Sequence, residues 1–187
     1  MQKIFIGLLL LFFDFKINNF DILPQFVGYF LIGQGFSELS KTDAAFDNRS
    51  ELFYGFSVLS LCLIGADLFI YLESIRDVLG VVAIIIHLSA LYLIYLAVYN
   101  SEQKSGELNA KHLKDCWTFL LIMQISSLIS VTFLWEFAML LSIIFGFIAY
   151  IAFLIAFHHT QDLYEERAKN FKENETITSI ENPTDNF

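Results

Sequence analysis

Residues 117–157 form a 41-residue stretch with a single charged side chain, Glu136. A helix crosses the hydrocarbon core of a bilayer in about 20 apolar residues. The stretch is about twice that length, and Trp135 and Glu136 sit near its middle. It therefore reads as two spans, 117–134 and 137–157, folded back as a tight helical hairpin. A helix that is apolar all round has no face to turn toward water. Two further stretches have the same character. Residues 52–72 carry one acid, Asp67, and residues 78–99 carry no Asp, Glu, Lys or Arg, only His87.

The beginning of the chain is less regular. Residues 4–13 are apolar but too few to cross as a straight helix. A polar stretch, 14–21, follows. The next apolar run, 24–39, is interrupted by Gln25 and Gln34. Pro24 suits the first turn of a helix, where its missing N–H costs nothing. The composition agrees, at 56% hydrophobic and 17% charged, against about 45–50% and about 25% in ordinary soluble domains. The expected fold is all-α: a polytopic helical membrane bundle of about six transmembrane helices, with a short first helix.

Orientation follows from the basic residues. With six spans, Lys3, Lys41, Arg49, Lys104, Lys111, Lys114, Arg167, Lys169 and Lys172 share one side, and only Lys16 and Arg76 fall on the other. That bias places both termini in the cytoplasm. Residues 1–157 then form the transmembrane domain. Residues 158–187 form a cytoplasmic helical extension, ending in a tail that reads as disordered from 174 onward because it has no apolar period. The net charge of −9 argues against a nucleic-acid partner, since phosphate binding needs a basic face. Two cysteines, Cys62 and Cys116, make no disulfide framework.

Two groups of side chains carry candidate chemistry. Asp67 and His87 are ionisable residues within spans, where a charge is costly and calls for a cavity or a partner. They lie on consecutive antiparallel spans at depths about 6 Å apart. A water-bridged pair open to the outside would suit a ligand, an ion or a proton. The second group lies near the cytoplasmic end. His112 and Cys116 share one helix face at i,i+4, as do His158 and Asp162, and the hairpin brings His112 level with His159. A mixed N, S and O set of this kind can hold zinc or another transition metal, although the spacing matches no metal signature. Gln34 and Gln124 fall near mid-span and read as interhelical packing. The small-residue pairs Ser126 and Ser130, Ser142 and Gly146, and Ala152 and Ala156 mark faces for close helix approach.

The run Asp14-Phe15, Asp21-Ile22-Leu23-Pro24 and Gly28-Tyr29 resembles a group of small bacterial multi-pass membrane proteins to which no activity is assigned. The resemblance covers about the first 40 residues. It implies a bacterial cell membrane and supplies no catalytic residues.

No enzyme motif is present: no G-x-S-x-G, no H-E-x-x-H and no C-x-x-C. Gly33 and Gly35 begin a dinucleotide-type loop that lacks its third glycine. Nothing in the sequence requires a cofactor. The expected role is that of a non-catalytic accessory or regulatory membrane protein, in contact with lipid and with another membrane protein. The alternative is a small transporter or solute-binding component. Six spans in under 200 residues are similar in size and topology to the substrate-binding subunits of energy-coupling-factor vitamin transporters, although the first helix lacks their A-x-x-x-A face.

Overall fold

The structure, a computed structural model, describes residues 1–12, 16–17, 20–21, 25–69, 73–106, 108–132 and 136–181. Within these it describes side chains outside 16–21, 67–69, 73–74, 76–77, 105, 131–132 and 171–181. Six α-helices follow one another: α1 Gln2–Phe12, α2 Gln25–Leu39, α3 Ser50–Phe69, α4 Glu73–Ser105, α5 Ala110–Thr132 and α6 Glu136–Glu181. Lys16–Ile17 and Phe20–Asp21 pair antiparallel between α1 and α2, too briefly to change the all-α class. The first helix is short, as expected. Its 11 residues reach about 16 Å. The second begins at Gln25, directly after Pro24.

Consecutive helices pack against one another, and α1 returns onto α6. The α1–α2 contact is set by glycine. A Cβ placed at Gly7 would lie 2.6 Å from the Gly28 carbonyl oxygen, and one at Gly28 would lie 2.9 Å from the Gly7 carbonyl oxygen. The two backbones therefore touch, as small residues allow in helix pairs. Ile4, Leu8 and Leu11 of α1 are buried against Tyr29, Ile32 and Phe36 of α2 in the same core. Lys3 pairs with Glu38 across the two ends.

The α5–α6 hairpin uses the small residues picked out by the sequence. Ser142 Oγ lies 2.8 Å from the Ala138 carbonyl of its own helix and 3.0 Å from Ser126 Oγ. Gly146 sits against Met123. The turn from α4 to α5 has its own local cause. Gly106 (φ +98°) and Asn109 (φ 68°) take left-handed backbone, which glycine and asparagine tolerate best. The Glu102 carboxylate then accepts the N–H of Ala110 at 2.8 Å, capping the start of α5.

Charged groups gather where α1 begins and where α2 and α4 end. After α2, Asp43 caps a 3-10 turn, Ala44–Phe46, by accepting the N–H of Ala45 at 2.9 Å. The same carboxylate accepts the Ser101 hydroxyl from α4, and Ser101 Oγ accepts from Arg167 Nη2 of α6 at 3.0 Å. Arg167 also lies over the Tyr164 ring. These bonds tie residues beyond 157 to the bundle, and α6 runs unbroken from Glu136 to Glu181. Helix therefore continues through 174–181, where a disordered tail was expected, and residues from 182 lie outside the described residues.

Val78–Lys104 and Glu136–Asn170 are long and apolar enough to cross a membrane. Large apolar side chains also cover outward faces of the bundle. Val58 and Leu61 on α3, Ile122 and Ile129 on α5, and Ile148 and Ile155 on α6 are each about half exposed or more.

Candidate functional site

The short first helix shapes a cavity. α1 ends at Phe12, while α4, α5 and α6 are each at least twice as long. A cleft of about 260 Å³ lies at the end of α1, walled by Leu11 and Phe12 of α1 and by residues of α4, α5 and α6. Its frame is apolar: Leu88, Leu120, Met123, Ile143 and Phe147 line it. Set into that frame are His87, Gln124, Ser127, Ser142 and Tyr150.

These polar groups come from three helices: His87 from α4, Gln124 and Ser127 from α5, and Ser142 and Tyr150 from α6. His87 stacks on Tyr150, with ring centroids 5.2 Å apart and planes 22° apart. Tyr150 stacks on Phe12 on α1 at 5.0 Å, and its hydroxyl donates to the Leu8 carbonyl at 3.3 Å. The imidazole therefore rests on an aromatic stack rooted in α1. One residue beyond His87, the Leu88 carbonyl accepts Trp117 Nε1 at 2.9 Å, which locks α5 to α4 beside the cleft. Ser142 is held by Ala138 and Ser126. His87, Gln124 and Ser127 have no side-chain hydrogen bond to any described residue.

The lining contains no Asp, Glu, Lys or Arg among the described residues. A neutral imidazole offers one donor and one acceptor, an amide offers two donors and an acceptor, and a hydroxyl offers both. The C-terminal end of α1 adds a partial negative charge of about half a unit. Such a cleft suits a small molecule with an apolar body and a polar group that both donates and accepts. It offers an anion no countercharge.

His87 therefore belongs to a cleft, but it meets Tyr150. The side chain of Asp67, its expected partner, lies outside the described residues, although α3 includes its backbone.

The expected metal set does not assemble. Among the described residues no three His, Cys, Asp or Glu side chains form a metal-binding group. His112, His159 and Asp162 are exposed. His158 stacks on Phe5 of α1, with centroids 5.2 Å apart. Cys116 packs at the edge of the hydrophobic core, where burial and then Asp115 push its thiol pKa up, away from the thiolate a metal needs. Equal depth placed these residues at one end of the bundle without turning them toward one another.

The sequence reading treated Gln124 and Ser142 as packing residues and did not single out Ser127. The available signal was an amide one helical turn from a serine, Gln124 and Ser127, within the charge-free part of α5. Comparison with protein families, curated proteins and solved structures finds no match for the chain.

Proposed function

We propose that the chain is a multi-pass protein of a bacterial cell membrane, with both termini in the cytoplasm, and that it is a non-catalytic solute-binding or transport component. The solute is a small molecule with an apolar body and a neutral or singly cationic hydrogen-bonding head. The observation that carries this reading is the cleft, where His87, Gln124 and Ser127 line an apolar frame with no side-chain hydrogen bond among the described residues. All three are half-buried, and their donors and acceptors stay open to a bound molecule or ordered water. The accessory role expected from sequence needs no such cleft. The exposed apolar faces of α3, α5 and α6 favour lipid contact, because soluble proteins rarely leave such patches uncovered.

Two experiments test the proposal. In a cysteine-free background, Ile75→Cys is expected to react with a membrane-impermeant maleimide added to intact cells, and Ile180→Cys only after the cells are opened. The reverse pattern overturns the topology. For the cleft, native mass spectrometry of protein taken from its own membranes in mild detergent is expected to show a small-molecule adduct. Gln124→Leu removes a donor pair and an acceptor at similar volume. It is expected to cut occupancy by about tenfold, the equivalent of one or two lost hydrogen bonds. Equal occupancy in both proteins, or an adduct in neither, sinks the solute-binding reading.

A further inference from the structure

The segment between α2 and α3 frames a second, open cavity against α4, of about 320 Å³, with opposite chemistry. Arg49 and Lys104 bring positive charge to its lining, Asn48, Asn100 and Gln103 bring amides, and Asp47 brings the one carboxylate among the described lining residues. The lining is thus net positive in a chain whose net charge is −9. Neither cation is neutralised, because Lys3–Glu38 is the only ion pair among the described residues. Arg49 Nη1 is moreover buried without a hydrogen-bond partner. The Arg49 side chain as a whole is half-buried, so its other N–H groups are available to an acceptor in the cavity it lines.

The walls are held in place independently of any ligand. Asn48 takes left-handed backbone (φ 58°) and turns the chain between Asp47 and Arg49. Phe46 is buried in the core, and Asp43 holds the Ser101 hydroxyl, so the segment is fastened to α4. Gln103 already donates to the Tyr99 hydroxyl at 2.6 Å. Asn48, Asn100, Arg49 and Lys104 remain as donors.

We propose that this cavity binds a phosphate group. Arg49 presents a planar fork that matches phosphate oxygens, and Lys104 supplies a mobile point charge. The amides of Asn48 and Asn100 complete the donor set. The phosphate belongs either to an anionic lipid headgroup or to a free phosphate ion. The lipid source rests on the membrane reading above, in which Asn100–Lys104 follows directly on the apolar stretch 78–99 and stands at headgroup height on the cytoplasmic side. Basic pockets at that level recognise phosphate-bearing lipids. The phosphate chemistry itself rests only on the cavity.

The test uses the full chain, purified and delipidated in detergent. In one arm, phosphatidylglycerol and phosphatidylcholine are titrated and counted by native mass spectrometry. In the other, inorganic phosphate is compared with chloride at equal ionic strength by thermal stability. Lys104→Gln is expected to weaken phosphatidylglycerol binding about fivefold, as for one lost basic contact near a membrane surface. Arg49→Gln is expected to weaken it about tenfold or more, since a charge-assisted fork is lost. Lys114→Gln, an exposed lysine of α5 outside the cavity, is the control and is expected to change binding by less than about twofold. A preference for phosphatidylglycerol assigns the lipid. Stabilisation by phosphate without that preference assigns the free ion. The proposal is overturned if Lys104→Gln behaves like Lys114→Gln, or if neither probe binds. Lys104 is exposed, so its variant tests the site even if Arg49→Gln fails to fold. Failure of the membrane reading shows separately, as release of the protein from membranes by a carbonate wash.

Discussion

Replacing Gly7 by alanine is expected to destabilise the protein by about 1–3 kcal/mol, the usual cost of overpacking a tight contact. The sign is the informative part. In an unhindered helix interior the same change stabilises by about 0.5–1 kcal/mol, because alanine has less conformational freedom to lose. At Gly7 the new methyl would meet the Gly28 carbonyl oxygen and Ile32 Cγ1, each at 2.6 Å. Ile32 can shift a rotamer, but the Gly28 carbonyl belongs to a helix backbone and cannot yield alone. The two helices must separate. Gly55 of α3 meets nothing within 4 Å, so Gly55→Ala is expected to be neutral or stabilising. Unfolding midpoints of both variants in mixed micelles check the contrast, and a Gly7→Ala protein as stable as Gly55→Ala would refute the close contact. The effect reaches the cleft, since Leu8 and Phe12 of α1 hold Tyr150, and Tyr150 carries His87. Gly7→Ala is therefore also expected to lower adduct occupancy.

That contact shows where sequence stops informing structure. The order of the helices and the shortness of the first were legible, although α4 and α6 run past the apolar stretches that marked them. Charge-free stretches are long or short, Pro24 marks a start, and the small residues Ser126, Ser142 and Gly146 mark the α5–α6 face. The rotation of each helix about its own axis was not. Amphipathic helices advertise an inner face through their polar side, but residues 78–99 are apolar nearly all round. Nothing in that run shows that His87 turns toward Tyr150 of α6. The expected pairing of Asp67 with His87 falls on a side chain outside the described residues. The metal set assumed that equal depth means equal direction. The glycines were visible but unmatched, because Gly7 and Gly28 find each other only once the register of α1 on α2 is fixed. Arg49 and Lys104 entered only as counts toward orientation, and the cavity they share depends on how residues 40–49 fold back on α4.

The largest loss is expected at Phe36, where truncation to alanine should cost about 3–5 kcal/mol. Phe36 is fully buried. It stacks on Phe53 of α3 at 4.8 Å between centroids and leans on Phe46 of the 3-10 turn at 5.5 Å. Phe46 in turn meets Tyr164 of α6 edge-on at 6.0 Å. One ring thus joins α2, α3 and the 3-10 turn that touches α6, at the end of the bundle where Arg167 is also held. Where lipid surrounds a bundle, helices gain little from hydrophobic transfer and rely on close packing, so the void left by Phe36 has nothing to fill it. Phe30, on the same helix, is 45% exposed and touches only Tyr54 among the described ring contacts. Its truncation opens onto the surroundings and is expected to cost under about 1 kcal/mol, as for sites away from the core. Equal losses for Phe36→Ala and Phe30→Ala would mean that the aromatic cluster does not hold this end together. Hydrogen exchange adds a positional readout. Because Phe46 depends on Phe36, residues 160–167 of α6 should lose protection in Phe36→Ala well before Ala149 and Phe153, which lie about three to four helical turns before Tyr164 on α6.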